Sequence, residues 1–498
     1  MRDVILLLLV LFGVGWLSSH RWSIESKVPE DPELAYEEVA TQTFLDRCGA
    51  PGKNRKPVLI SMVYGEEKRA WIEQAADRFS RLCPNIQVQL TPMSNNGAVE
   101  AILEGKIRPT LWAPADDLFL GYLEHRWQQR FKEQPFDPRS HASLVVSPLV
   151  WVAWESRYRV IQQILRGGRS KDDGTWVQIP CANIPKLETP AQIALRDRLA
   201  GQLSSDDLIA GKWRDWYQEE LESPGATDPT RSPNLAQRKQ TSAGATKPLL
   251  APSYVPTLDQ VTGWGRVKFI HSDPTHTGSG LETIYLMALE FLVPPADRMR
   301  DQIPLDEREQ AQILKNRVEN PKELDALRSW LQRCEAGIRE FPATTTALLT
   351  DMVNLGPQRS DVVVTFEHLT FPILREFGKN GIQGEGLHVF YPQPTVWNNH
   401  PVVLMTPDAP GRAAERGPAA KWVAFLLGTD MQQRAIDHGF RPANPAVSLR
   451  AYKSESNPFL GAPIFGIRPD VPKKETARPD GKTLSTLVQT WGEATGRR

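Results

Sequence analysis

The chain has no excess of charge of either sign. Lys plus Arg total 59 and Asp plus Glu total 59 in 498 residues, a formal net charge of zero. Nucleic acids are gripped by clustered cations, so no nucleic acid is expected as a partner. Cysteine is scarce: Cys48, Cys83, Cys181 and Cys334 stand far apart. No C-x-x-C pair exists, which leaves zinc ribbons and thioredoxin-type sites without support. Four cysteines allow three pairings. An exported chain can form bridges, and free buried thiols explain the same residues equally well. The signatures G-x-x-x-x-G-K-[ST], H-E-x-x-H and G-x-S-x-G are missing, and no nucleophile with its base can be named. The expectation is a protein without catalysis and without a cofactor. Internal repeats are lacking, and apart from one segment so are long hydrophobic runs. At 40% hydrophobic and 24% charged residues the chain is too polar for a polytopic membrane protein.

Proline is what the chain has in plenty, 41 residues, about 8% against a usual ~5%. Many loop boundaries follow. The length predicts two or three domains at about 150 residues each. The one long apolar run is VILLLLVLFGVGWL at 4–17. As a helix it reaches ~21 Å, short of the ~30 Å hydrocarbon core, which suits the core of an export signal. Arg2 supplies the positive start and Leu17-Ser18-Ser19 the nearest cleavage site. Residues 1–21 are therefore read as a signal peptide or a membrane anchor, and 22–55 as a stalk.

From Pro57 the pattern changes. VLISMV (58–63) suits a strand buried on both faces. Trp71, Ile72, Ala75, Ala76, Phe79 and Leu82 recur at helical spacing up to Pro84. IQVQL (86–90) alternates as a strand does, a helix fits 97–105, and TLWAP (110–114) is strand-like. That alternation predicts parallel strands with helical crossovers. SLVVSPLVWVAWE (143–155) is longer than a typical strand of about five or six residues, which fits a strand running from one lobe into another. Residues 163–262 form an insert of weak periodicity, with 222–253 rich in Ser, Pro, Gly, Thr and Ala. GRVKFIH then reads as a strand and LETIYLMALEFL as a helix buried on nearly every side. Helices at 305–318, 322–340 and 344–355 follow. DVVVTF (361–366), LHVFYP (387–392) and PVVLM (401–405) are strands, 419–439 is a helical hairpin with Gly439 as its cap, and TLSTLVQTWGEA (483–494) reads as a docking helix.

Parallel sheets place ligands where strands hand over to helices. Those loops here are Tyr64-Gly65, Ser94-Asn95-Asn96-Gly97, Pro114-Ala115-Asp116, the 273–280 run and Phe366-Glu367-His368. Thr277-Gly278-Ser279-Gly280 opens a buried helix, so its N–H groups and hydroxyls offer donors to an anion, and Ser94 to Gly97 offers the same in the first half. Plain N-capping accounts for the same residue types. Glu367 follows a buried strand and is placed to face a cleft or to begin a helix. Trp397, Asn398, Asn399 and His400 are read as hinge-lining or simply as a polar loop. His271, Asp273 and His276 lack a metal-ligand spacing and read better as cap and loop residues. Trp71, Trp330 and Trp422 fall on helix faces as core.

Taken in order, PVLISMVYG, SNNGAVEAILEGK, LWAPADD, GWGRVKFIHSDPTHTGSGLETIYLMAL, DVVVTFEHLTFPI, HVFYPQPTVWNNHPVVLM and AAKWVAFLLGTDMQQRAIDHGFRPAN resemble bacterial extracellular solute-binding proteins. The likeness is to the type II periplasmic-binding-protein fold, the class of molybdate- and sulfate-type binders. It implies an α/β fold of two lobes, mainly parallel sheets with flanking helices and two crossing strands. The first lobe would take 56–152 and 397–460, the second 153–396 with the insert, and 461–498 a tail with the docking helix. The ligand would be a small polar solute, an anion among the candidates, held by Tyr64, Gly65, Ser94, Asn95, Asn96, Gly97, Thr277, Gly278, Ser279, Gly280 and Glu367. A membrane permease of the ABC type would be the partner. Oxyanion binders of this class carry serine or another small residue where this chain has Tyr64, which argues against a bare oxyanion. The rival reading is a membrane-tethered interaction module with a vestigial cleft.

Overall fold

The computed structural model describes Cys48, residues 57–167 and residues 256–497, with short gaps inside the last span. The N-terminal apolar run, the stalk except Cys48, Cys181 and most of the insert lie outside the described residues. Among the described residues no helix is long and apolar enough to cross a membrane.

The first unit is strand β1 (Val58–Gly65), a 3-10 turn at Glu66–Lys68, helix α1 (Arg69–Leu82), β2 (Ile86–Met93), α2 (Asn95–Leu103), β3 (Leu111–Ala113) and α3 (Asp117–Phe131). β1 pairs in parallel with both β2 and β3, as alternating strands and helices require. Helix α1 turns Trp71, Ile72, Ala75 and Phe79 inward and ends at Cys83, one residue before Pro84. Cys83 is disulfide-bonded to Cys48, with Cα atoms 5.2 Å apart. Cys334 is buried.

After the two-residue strand β4 (Ala142–Ser143) the chain leaves this sheet as β5 (Val145–Trp154) and continues into α4 (Glu155–Gly167). The described chain resumes through α5 (Leu258–Gly263) and β6 (Phe269–Ile270) to α6 (Gly278–Leu292). A small hairpin, β7 (Met299–Arg300) and β8 (Ile303–Pro304), precedes α7 (Glu307–Val318), α8 (Pro321–Glu335) and α9 (Thr345–Leu355). Strand β9 (Val362–Phe366) runs straight into α10 (Glu367–Phe377), and β10 (Leu387–Phe390) follows. The return passes through β11 (Trp397–Asn398) to β12 (Pro401–Leu404), then α11 (Ala413–Leu427), α12 (Thr429–Asp437), β13 (Arg441–Pro442) and the last helix, α13 (Gly481–Thr495). Gly439 follows α12 with a φ of +83°, a left-handed conformation that glycine tolerates at a helix end.

The strand orders are β2-β1-β3-β12-β4 and β10-β5-β9-β6, with β11 and β13 also on β5. The expected parallel core exists, but the sheets are mixed. Among the described residues parallel pairing is confined to β1–β2, β1–β3 and β6–β9, while every strand on β5 and both partners of β12 run antiparallel to them. The reason lies in the path. β5 and β12 enter their sheets from the other half of the molecule, so they point against the strands that grew by local crossover. β5 is 10 residues long because its start meets β13 and β11 and its end meets β9 and β10.

One apolar cluster packs α1 and α11 on the first sheet, through Phe79, Trp71 and Trp422. Another lies under the second sheet, through Leu349, Val363 and Val389. The largest joins the halves: Phe119 and Leu118 share it with Leu281, Phe366, Leu484 and Trp491. Trp330 belongs to this third cluster, so all three tryptophans expected in the core are there.

Candidate functional site

The helix-entry loops meet at the junction of the two halves, but their donors are largely spent. Ser94 caps α2, its Oγ accepting from Gly97 N at 3.3 Å. Asn95 is buried and accepts from Ala115 N at 2.9 Å. Asn96 crosses the junction, its Nδ2 donating to the carbonyl oxygens of Pro274, at 3.4 Å, and Thr275. Gly97 lies against Ser94: a Cβ there would be 2.7 Å from its Oγ. Thr277 caps α6 by accepting from Gly280 N at 3.1 Å and donates to Asp273 O at 2.9 Å. Ser279 Oγ sits 2.6 Å from Thr345 Oγ1 and 2.8 Å from Ser272 Oγ. Gly278 has no room for a side chain, because a Cβ would meet Phe366 at 3.2 Å and Phe119 at 3.3 Å. Gly280 is still tighter, at 2.3 Å from Ser272 O.

The strand-end residues of the prediction point elsewhere. Tyr64 packs in the first-sheet core and donates weakly to Glu73 Oε1 at 3.5 Å. Burial, with Glu73 beside it, pushes its hydroxyl up to about 12. Gly65 precedes the 3-10 turn with an ordinary φ of −62°. Glu367 is fully buried and grips Arg441 with both oxygens, at 2.7 Å each, and also accepts from the Tyr391 hydroxyl. Burial and Glu367 raise Tyr391 well above its ordinary value, so it remains a donor. His271 is buried 3.0 Å from Glu335, and His276 stands on the surface beside Asp273. Among the described residues no His, Cys, Asp or Glu side chains gather in a metal-holding group.

A different set converges at the crossing. Lys68 is fully buried and donates to Glu67 Oε1 at 2.6 Å and Pro114 O at 3.1 Å. His400 Nδ1 lies 3.4 Å from Lys68 Nζ and 3.6 Å from Glu67 Oε1. His368 Nδ1 sits 2.9 Å from Ser147 Oγ, and its ring centre is 5.7 Å from that of His400. Burial lowers both histidines, His400 to about 4 with the Lys68 charge adding to the effect, and His368 well below its ordinary range with His400 adding. Burial works to raise Glu67, but Lys68 and His400 prevail and hold it well below the usual carboxylate range. Lys68 is lowered by burial against the pull of Glu67.

Next to this group Glu282, on α6, lies against Asn398, both fully buried. Among the described residues neither finds a well-formed hydrogen bond, and the same holds for Nε2 of His400 and of His368. Burial raises Glu282 well above its ordinary value, and the neighbouring Asp116 charge adds to this. Asp116 caps α3 through Leu118 N at 2.9 Å. Asp117 accepts from Arg478 Nη1 at 2.7 Å and Asn399 Nδ2 at 2.8 Å, and lies 2.8 Å from His141 Nε2. Burial opposes ionisation of Asp117, but the His141 hydrogen bond and the Arg478 charge outweigh it and hold the carboxyl below its ordinary value.

Sequence reasoning passed over Lys68, Glu282 and Arg478, placed Asp116 and His368 in helix-entry loops without choosing them as ligand residues, and read Asn398 and His400 as hinge-lining or polar loop. A usable signal existed for one: Glu282 is an acid within a helix apolar on nearly every side. Lys68 had none, because E-E-K-R reads as a solvated helix start. A hollow of about 280 Å³ lined by Leu103, Trp127, Phe131 and Met405 shares no residue with this junction.

No family model matches the chain, and no curated protein matches it. Solved structures are similar in layout. The sulfate-binding protein SubI of Mycobacterium tuberculosis is 12% identical over 88% of this chain and 97% of that one, with a TM-score of 0.38. The periplasmic binding protein AfuA of Actinobacillus pleuropneumoniae, with fructose-6-phosphate bound, is 11% identical over 89% and 99%, at 0.44. Iron-bound HitA of Pseudomonas aeruginosa is 9% identical over 88% and 99%, at 0.42. In its own connectivity, two sheets joined by an outgoing strand and a returning segment, the chain has a two-lobed α/β layout.

Proposed function

We propose that this chain is an exported solute-binding protein that captures a small polar ligand between its two lobes and passes it to a membrane permease. Export and any anchoring rest on the apolar run at 4–17. The carrying observation is the buried polar group at the crossing: among the described residues, Glu282, Asn398 and the two histidine Nε2 atoms find no well-formed hydrogen bond although they are fully or almost fully buried. Buried polar groups are nearly always satisfied, and each unsatisfied one costs about 1–3 kcal/mol. A polar solute placed here would supply the missing partners, and a hinge at the two crossings would admit it. Binding and release need no bond to be made or broken.

Thermal unfolding of the purified chain tests this against sugars, amino acids, amines and inorganic anions. A true ligand at a hundred times its Kd adds about 2.7 kcal/mol, a rise of roughly 2–4 °C for a chain of this size. Asn398→Ala should abolish that rise. No shift from any compound would reject the reading.

One observation favours the rival, an interaction module with a shut cleft. Phe119 and Phe366 close over Gly278, and Asn96 already bridges the two loops. If that reading held, small-angle scattering would be the same with and without every solute, and deleting 222–253 would remove protein partners.

A further inference from the structure

Resting on the solute-binding reading, we propose that α13 is a strap: it travels with the second half and must let go of α3 before the two halves can part. In the second half the helix packs on α6, α7 and α8. Its two charged side chains are spent there, Lys482 on Glu319 at 2.8 Å and Glu493 on Arg328 at 2.9 Å. Its cap, Asp480, meets Lys315 of α7 at 2.9 Å. At the far end Trp491 is fully buried, with its ring centre 5.0 Å from that of Phe341, and Arg497 lies over the same Phe341 ring at 4.8 Å. The grip on the second half therefore runs from one end of the helix to the other.

The seam with the first half is built differently. Across the junction α13 packs on α3. Among the described residues the polar ties on this side gather at the start of the helix. Arg478 Nη1 donates to Asp117 Oδ2 at 2.7 Å and lies 3.4 Å from Asp116 Oδ1, and its Nη2 donates to Trp397 O at 3.3 Å. The Arg478 and Asp117 side chains are 32% and 28% exposed. An ion pair open to water is weak and is screened by salt. Gly481 comes next, so close to α3 that a Cβ would lie 2.1 Å from Gly121 O. Two glycines meeting there have no side chains to interlock. A hinge at the two crossings would leave α13 on the half that holds its whole length and break the seam that ties it by one end. Strapped in this way the protein rests with its halves together, and the Asn96 bridge to the Thr275 carbonyl agrees with that state.

Small-angle scattering and hydrogen exchange of the full chain, with no solute added, test this. Gly481→Val drives a wedge into the seam, and Arg478→Gln removes its ion pair. Both should raise the radius of gyration, G481V the more, while the α13 amides keep the protection they have in the unaltered protein. Lys482→Gln combined with Glu493→Gln weakens the other side and should leave the scattering unchanged. Should G481V fail to fold, R478Q alone decides: peptides covering 94–97 and 273–280 should exchange roughly two- to fivefold faster, the effect of one exposed ion pair. Equal scattering and equal junction exchange in R478Q, G481V and the unaltered protein would overturn the strap. Expansion of the K482Q/E493Q protein alone would overturn it too, by placing α13 on the first half. Loss of α13 protection in R478Q would do the same, by leaving the helix on neither half. None of these readouts involves a solute, so each such failure leaves the solute-binding reading to its thermal-shift test.

Discussion

His400 combines two unfavourable conditions. It lies at the return crossing with a φ of +39°, directly before Pro401, and it is fully buried. A left-handed backbone at a residue other than glycine costs about 1–3 kcal/mol and tends to mark functional sites. Burial of the neutral ring separately makes stability depend on pH. With His400 held to about 4 in the fold and near 6.5 when unfolded, the unfolded chain binds the extra proton between those values. Stability is therefore complete above the unfolded pKa and falls as pH drops from 6.5 to 4, by roughly 3 kcal/mol from this residue. His368 acts in the same direction. Urea unfolding at a series of pH values should show the fall, and His400→Asn, which tolerates the backbone, should flatten it. At Glu367 the chemistry is structural, because Arg441 and Tyr391 take its oxygens. Arg441→Met should cost about 3–5 kcal/mol by stranding a buried carboxylate. Equal stability of R441M and the unaltered protein would contradict that role.

At the scale of elements, α13 matters most for the junction. It packs on α3 of the first half and on α6 and α8 of the second, with Leu484, Leu487 and Trp491 in the shared apolar cluster. Gly481 allows the approach, since a Cβ there would lie 2.1 Å from Gly121 O. Asp480 caps the helix through Thr483 N at 2.8 Å and meets Lys315 at 2.9 Å. The helix therefore joins the lobes and sets Arg478 over the acids. Trp491 is fully buried, edge-on to Phe341 at 5.0 Å. Trp491→Ala should lower stability by about 3–5 kcal/mol. Denaturant unfolding measures it, and a cost under 1 kcal/mol would mean that the helix does not clamp the halves. The amphipathic stretch at 483–494 was legible as a docking helix because helical periodicity is local. Its partners were not, because α3 and α8 lie far away in the chain.

For the whole molecule, the sequence carried the elements and their order. Period-2 and period-3.6 patterns placed β1, α1, β9 and α6 within a few residues, and the unusual length of 143–155 betrayed the first crossing. Those signals depend on neighbouring residues, so one chain suffices to read them. What it could not supply was strand direction in the mixed sheets or the membership of the site. Lys68, Asp116, Glu282, Asn398, His400 and Arg478 come together from five separate segments, and four of them read alone as ordinary caps, loops or solvated charges. Ser94, Thr277 and Glu367, with the right residue types in the right loops, satisfy themselves or their neighbours instead. Element formation is a short-range property of side-chain pattern. Burial, charge balance and unsatisfied hydrogen bonds depend on what the folded path brings alongside, and only the tertiary structure decides them.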